Sequence, residues 1–213
     1  MCIRDRDVDM LIFNQEGCHK ISEEELDKIK SRITPITRKL SRRFEKIIKD
    51  IVENRKIIRD LSKKLFGFEL FYQNEEALWR VMTPCKTEED FTSNICALCL
   101  LIDEMNCTQM EKFLKGDRKI QGSINLLEQF LKDEFSLSDE EIRKITVNLR
   151  DIRILRSKRA PIHRTQPELI DTILKLGYHY PPNWGSLWID ILGKYNESLN
   201  EIKRIFKKRV EKS

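Results

Sequence analysis

The sequence predicts an all-α protein, a helical bundle with a long N-terminal helix, and two observations support this class. Charged residues make up 35% of the 213 residues and aromatic residues only 8%, a composition typical of soluble, helix-rich domains. Apolar residues recur at helical spacing in nearly every segment, whereas no convincing alternating strand pattern is visible. Met10 to Phe13 is the only short candidate for a strand.

One long helix dominates the N-terminal half of the prediction. Ser22 and Glu25 form a capping-box pattern that begins a helix, which Pro35 is expected to kink or interrupt. A long helix from about Pro35 to Phe66 follows, with apolar residues at alternating steps of four and three and one polar position, Asn54. This heptad seam predicts packing against a partner helix, either of the same chain in a helical hairpin or of a second copy. The seam consists of Leu40, Phe44, Ile47, Ile51, Asn54, Ile58, Leu61 and Leu65.

Caps and helix breakers predict further helices along the rest of the chain. Thr87 with Asp90, and Ser138 with Glu141, match the capping-box pattern, while Pro167 suits the first turn of a helix. Glycine and proline mark the turns between them. The predicted helices span Phe68–Met82, Thr87–Leu114, Ser123–Phe135, Ser138 to about Ala160, Thr165–Gly177 and Trp184–Lys208.

A domain boundary is expected near Gly67 or at the polar, glycine-bounded loop from Gly116 to Gly122, and the loop gives two predicted regions. Residues 7–115 form a helical region that contains the long helix, and residues 116–213 form a C-terminal helical bundle. Residues 1–6 resemble translated adapter sequence rather than native protein. They are excluded from fold prediction, which leaves open a native N-terminus further upstream.

A basic segment, Leu149 to Arg164, is the strongest functional signal in the chain. Arginines recur there at every third position, so a helix would present them as a slowly rotating stripe. The segment holds six basic residues and one acidic residue, and its excess equals the formal net charge of the whole protein, +5. Such a focus predicts a polyanionic partner such as RNA. The alternative is a solvated face, or a seam that meets an acidic protein. The basic residues are Arg150, Arg153, Arg156, Lys158, Arg159 and Arg164.

Six residues separate Arg156 from His163, with Ser157 directly after the arginine. On this spacing, and on the residues from Gly122 to Phe206 around it, the C-terminal half resembles the HEPN superfamily of small helical bundles. Its signature is an arginine, four to six residues, and a histidine. The resemblance implies a metal-independent endoribonuclease of bacterial defence or toxin systems, in which two arginine–histidine pairs meet across a dimer interface or between paired domains. Since this chain has one such pair, a homodimer is expected. A neutralising or regulatory protein partner is a further expectation.

The resemblance also implies roles for individual residues. Arg156 would stabilise the scissile phosphate, because a guanidinium fork matches phosphate oxygens. His163 would act as general acid and base, since its pKa lies near working pH. Ser157 would orient the site, and RNA backbone would be held by Arg150, Arg153, Lys158, Arg159 and Arg164. The alternative is a non-catalytic interaction module, in which Arg156 pairs with an acid such as Asp139 or Glu140.

Other patterns are better explained by folding than by chemistry. Cys96 and Cys99 have zinc-ligand spacing, but they lie in an apolar helical run and are predicted to be core residues, so we expect no metal and no cofactor. Trp184 and Trp188 are likewise predicted to face the core. The longest apolar run, Ile95 to Ile102, has 8 residues, whereas a membrane span needs about 20. With no signal-peptide pattern, a cytoplasmic location with reduced thiols is expected.

Overall fold

The computed structural model describes the backbone of residues 12–14, 17–19, 23–115, 120–157 and 167–212, and the side chains of residues 39–115, 120–156 and 170–212. The chain forms two compact units, Met1–Arg43 and Phe44–Ser213. Most described residues lie in α-helices, so the predicted all-α class is confirmed. In the first unit, strands β1 (Ile12–Asn14) and β2 (Gly17–His19) form a short antiparallel hairpin, with Ile12 opposite His19. The strand predicted at Met10 to Phe13 overlaps β1 by two residues.

The long predicted helix is present as α1 (Glu23–Phe66), a single helix of 44 residues. It continues through Pro35, so the predicted start near Pro35 and the predicted interruption there are both wrong, whereas the alternative of a kink at Pro35 stays a prediction. A proline removes one backbone hydrogen bond and costs about 3 kcal/mol, which a long helix with many other hydrogen bonds tolerates. The predicted cap at Ser22 lies outside the described residues.

The heptad seam packs within the chain. Ile51 and Ile58 of α1 are fully buried, and the polar position Asn54 faces α8 (Trp184–Glu211). Asn54 donates from Nδ2 to Oδ1 of Asn196 at 2.8 Å and of Asn200 at 3.1 Å, and its Oδ1 accepts from Lys203 Nζ. Of the two partners that the sequence left open for the seam, the structure therefore provides the intrachain one.

Two asparagines cap helix starts at positions where the sequence predicted uninterrupted helix. The predicted helix Phe68–Met82 is shortened to α2 (Glu75–Val81), because Asn74 caps the start of α2 by accepting from Ala77 N at 2.8 Å. The predicted helix from Thr87 to Leu114 breaks after Asp103, and Asn106 accepts from Gln109 N to cap a separate helix, α4 (Cys107–Glu111). Asparagine side chains compete with helical backbone bonds in this way. The remaining helices are α2 (Glu75–Val81), α3 (Glu88–Asp103), α4 (Cys107–Glu111), α5 (Ser123–Phe135), α6 (Asp139–Ser157) and α7 (Pro167–Lys175).

The capping boxes predicted at Thr87 and Ser138 are confirmed. Thr87 Oγ1 accepts from Asp90 N, and the Asp90 carboxylate accepts from Thr87 N, each at 3.1 Å. Backbone N–H groups of Lys86 and Thr87 hold the pKa of Asp90 below its usual range. Ser138 and Glu141 make the reciprocal pair at the start of α6. Local sequence thus determines where these helices begin.

One core joins the helices of the second unit. Helix α3 packs on α5, α6 and α8, so helices before and after residues 116–119 share this core. Trp188, Tyr195 and Phe206 are fully buried, and Trp184 packs on Phe91 at a centroid distance of 5.1 Å. The core role predicted for the two tryptophans is therefore confirmed.

The predicted core role of the Cys96–Cys99 pair is confirmed most clearly at Cys99, which is fully buried, whereas Cys96 is half-buried. The thiol of Cys99 donates to Ile152 O at 3.7 Å. Burial raises the pKa of Cys99 to about 12, and that of Cys85 likewise. These two thiols therefore remain protonated at neutral pH.

Candidate nucleic-acid interface on helix α6

Three arginines of the predicted stripe lie on the described part of α6. Arg150, Arg153 and Arg156 have side chains that are 47%, 40% and 42% exposed. The same helix buries Ile145, Leu149 and Ile152 in the core. Its apolar side therefore holds the backbone rigidly, while the arginines project from the more exposed side.

Arg150 is held by α5. Its Nε donates to Glu128 Oε1 at 3.1 Å and its Nη2 donates to Glu128 Oε2 at 2.7 Å, which is a bidentate pair. Nη2 also donates to Asn125 Oδ1 at 2.7 Å. Glu128 in turn accepts from Thr146 Oγ1 at 2.6 Å. A bidentate arginine–carboxylate pair fixes the plane of the guanidinium as well as its position.

Arg153 and Arg156 share one carboxylate at the end of α3. Arg153 Nη2 lies 3.2 Å from Asp103 Oδ1, and Arg156 Nη1 lies 3.3 Å from Asp103 Oδ2. Ser123, the first residue of α5, donates from Oγ to Asp103 Oδ1 at 3.0 Å. The site thus joins three elements: the end of α3, the start of α5 and the last turns of α6.

Gly122 lets α5 begin close to this cluster. Its φ of +91° is strained for residues with a Cβ, and a Cβ built there would lie 3.8 Å from Arg153 Nη1. The glycine therefore allows the turn that places Ser123 against Asp103.

The carboxylates change the charge balance of the stripe. Two guanidiniums on Asp103 leave one net positive charge there, whereas Arg150 and Glu128 compensate each other. The predicted charge excess therefore depends on Lys158, Arg159 and Arg164, which lie outside the described residues.

A groove of about 870 Å³ lies beside Arg150, between α5 and α6. Its lining carries three basic and four acidic side chains, so it offers no excess of positive charge to a polyanion. The net positive charge on the described part of α6 therefore lies at its C-terminal turns rather than beside this groove. The charged lining residues are Lys132, Arg143, Arg150, Glu128, Asp139, Glu140 and Asp151.

The residues predicted to complete the site are only partly described. Ser157 is the last residue of α6, but its side chain lies outside the described residues, as does His163. The predicted pairing of Arg156 with His163 in one site therefore stays a prediction. Among the described side chains, no group of three histidine, cysteine or acidic residues lies close enough to hold a metal ion. No helix within the described part of the chain is long and apolar enough to cross a membrane.

Sequence reasoning missed the partners of the arginines. It suggested Asp139 or Glu140 for Arg156, but Asp139 pairs with Lys132 and Glu140 with Lys144, whereas Arg156 pairs with Asp103. Asp103 and Arg156 are 53 positions apart, and no local pattern connects them. Compared with known proteins, the chain matches no family model, no curated protein and no solved structure.

Proposed function

We propose that the C-terminal turns of α6 bind RNA and that the chain is a metal-independent endoribonuclease of the HEPN type, acting in a defence or toxin context. One observation carries the proposal: Arg153 and Arg156 are held on a single carboxylate while their side chains stay about 40% exposed. Two oriented guanidiniums with one net positive charge form a preorganised site for a phosphate group. A preorganised donor costs no reorganisation when charge develops during the reaction.

In this proposal the roles follow the chemistry of each side chain. Arg156 stabilises the charge that develops on the scissile phosphate, and Ser157 helps to orient it. His163 takes the proton of the ribose 2′-hydroxyl and returns one to the leaving oxygen. Arg150, Arg153, Lys158, Arg159 and Arg164 contact backbone phosphates. Since one chain supplies a single arginine–histidine pair, the proposal includes a homodimer with two pairs.

The second candidate is a non-catalytic module that binds an acidic protein, and the same ion pairs favour it. Arg150 and Arg156 already contact carboxylates of this chain, as arginines of a structural network do. Exposed ion pairs of this kind contribute only about 0–1 kcal/mol, so a phosphate can still displace them. The two candidates therefore differ in what they predict for RNA.

The test is RNA cleavage by purified protein in EDTA, with Arg156→Ala, His163→Ala and the matched control Arg143→Ala. Arg143 is exposed on the same helix, 13 residues and about 20 Å before Arg156. We expect cleavage that survives chelation and falls by about 10²-fold or more in the first two variants. The control should keep wild-type activity.

Three outcomes would contradict parts of the proposal. Equal cleavage by all variants would mean that other residues, or a contaminant, carry the activity. Absence of cleavage by the wild type, with RNA binding that weakens steeply with salt, would leave an RNA-binding protein without catalysis. Absence of both cleavage and salt-dependent RNA binding would favour the module that binds an acidic protein.

A further inference from the structure

A separate pocket of about 260 Å³ lies between the middle of α1 and the segment that leads into α2. Three of its lining residues are basic and one, Glu75, is acidic, so its walls carry a positive excess. The pocket belongs to different elements from the α6 arginines, and a ligand bound there does not require the proposed ribonuclease function. The basic, aromatic and amide side chains in its lining include those of Arg55, Lys56, Arg59, Phe71, Tyr72 and Asn74.

Arg55 is a buried cation with neutral partners. Its side chain is directed to carbonyl and hydroxyl oxygens: Nη1 donates to Leu101 O at 3.2 Å and to Tyr195 Oη at 2.7 Å, and Nη2 donates to Tyr72 O at 3.2 Å. The guanidinium carbon also lies 4.6 Å from the centre of the Phe71 ring. The residue is only 8% exposed.

These partners orient Arg55 without neutralising it. Within the described part of the chain, no carboxylate forms an ion pair with Arg55, and the carboxylate of Glu104 bonds Asn74 instead. A buried charge with no counter-charge costs several kcal/mol of stability. An anion bound in the adjoining pocket would offset that cost, which is the physical reason to expect one there.

The lining of the pocket also includes aromatic side chains. Tyr72 is 50% exposed, and its hydroxyl donates to Asn106 Oδ1 at 2.8 Å, which holds the ring in one orientation. A fixed, exposed ring offers a face on which a base can stack. Lys56 and Arg59 lie on α1, and among the described side chains the ion pair of Arg59 is a long one, with its Nε 3.9 Å from Asp60 Oδ1.

We propose that this pocket binds a nucleoside monophosphate, with its phosphate held by Arg55, Lys56 and Arg59 and its base stacked on Tyr72. At about 260 Å³ the pocket lies just below the range of about 300–1,000 Å³ that is typical of small-molecule sites. The combination of a cationic wall and an exposed ring matches a ligand that is anionic at one end and planar at the other.

The test is isothermal titration calorimetry of the full chain with AMP, adenosine and inorganic phosphate at low ionic strength. We compare wild type with Lys56→Ala, Arg59→Ala and Tyr72→Ala, and use Lys64→Ala as the control because Lys64 is exposed on α1 outside the pocket lining. Arg55 is left intact because it also joins α1 to Leu101 and Tyr195.

We expect saturable AMP binding that weakens about tenfold in Arg59→Ala and Lys56→Ala and is unchanged in Lys64→Ala. Tyr72→Ala should weaken AMP but leave inorganic phosphate unchanged, and adenosine should bind at least about tenfold more weakly than AMP. Phosphate that binds as tightly as AMP, with no effect of Tyr72→Ala, would overturn the assignment of a nucleotide. No saturable binding of AMP, GMP, CMP or UMP up to about 5 mM would overturn the site itself.

Discussion

Asp103 gives the sharpest test of how the α6 arginines are held. The substitution Asp103→Ala removes a carboxylate that accepts from Ser123 and pairs with Arg153 and Arg156. The carboxylate is 28% exposed and the arginines are about 40% exposed, so each ion pair contributes only about 0.2–1 kcal/mol. Ser123 is almost fully buried, and its hydroxyl would lose a charged acceptor, which adds about 1–2 kcal/mol.

We therefore expect Asp103→Ala to lower the free energy of unfolding by about 1.4–4 kcal/mol, which is a fall in Tm of roughly 3–16 °C for a chain of this size. Urea denaturation followed by tryptophan fluorescence measures the change. Double-mutant cycles of Asp103→Ala with Arg153→Ala and with Arg156→Ala should give coupling energies of about 0.2–1 kcal/mol.

The matched control is the cycle with Arg143→Ala, since Arg143 lies on the same helix about 20 Å away and its coupling should be zero within error. RNA binding should not weaken in Asp103→Ala, because the change removes a negative charge from the site, whereas RNA cleavage should fall, because the carboxylate that orients Arg153 and Arg156 is lost. Coupling energies for Arg153 and Arg156 no larger than that for Arg143 would refute the shared-carboxylate arrangement.

Three further predictions concern the fold and the thiols. Asn54→Leu should lower the free energy of unfolding by about 1–3 kcal/mol, because it leaves polar groups of α8 without their partner. The molar mass of this variant by light scattering should match that of the wild type. A different molar mass would contradict packing of the seam within one chain. Asp90→Asn should be least stable relative to wild type at neutral pH. The Asp90 pKa is lowered by folding, so its contribution is full above the ordinary value of 3.8 and is lost as pH falls below it, and a difference independent of pH in thermal unfolding would argue against the charged cap. Cys85 and Cys99 should resist iodoacetamide at pH 8 until the protein unfolds, because their pKa values are about 12. Mass spectrometry of the labelled peptides measures this resistance. Rapid labelling of the native protein would be inconsistent with the burial of these thiols.

Patterns that depend on neighbouring residues predicted the structure well. The capping boxes at Thr87 and Ser138, and the seam through Ile51 and Ile58, act over one or two helical turns. The breaks at Asn74 and Asn106 were missed although their cause is also local. An asparagine is tolerated inside a helix or used as a cap, and the sequence alone does not separate these two uses.

The ion pairs of the α6 arginines, in contrast, could not be predicted from neighbouring residues. That its arginines lie on one helix follows from sequence, since their spacing of three matches helical geometry. Their charge compensation does not follow from sequence. Glu128 is 22 positions from Arg150, and Asp103 is 53 positions from Arg156. Only the packing of α3 and α5 on α6 brings those carboxylates within reach.

By itself, the sequence determined the helical class, most helix starts and the position of the basic stripe. The reason is that hydrophobic periodicity and helix capping depend on residues that lie close together in the chain. The tertiary structure alone decided which helix covers the Asn54 seam, which carboxylates hold the arginines, and that Arg55 is buried beside an open pocket. The physical reason is that ion pairs and buried polar contacts join residues far apart in the chain. Their partners are selected by helix packing and by the need to satisfy every buried polar group.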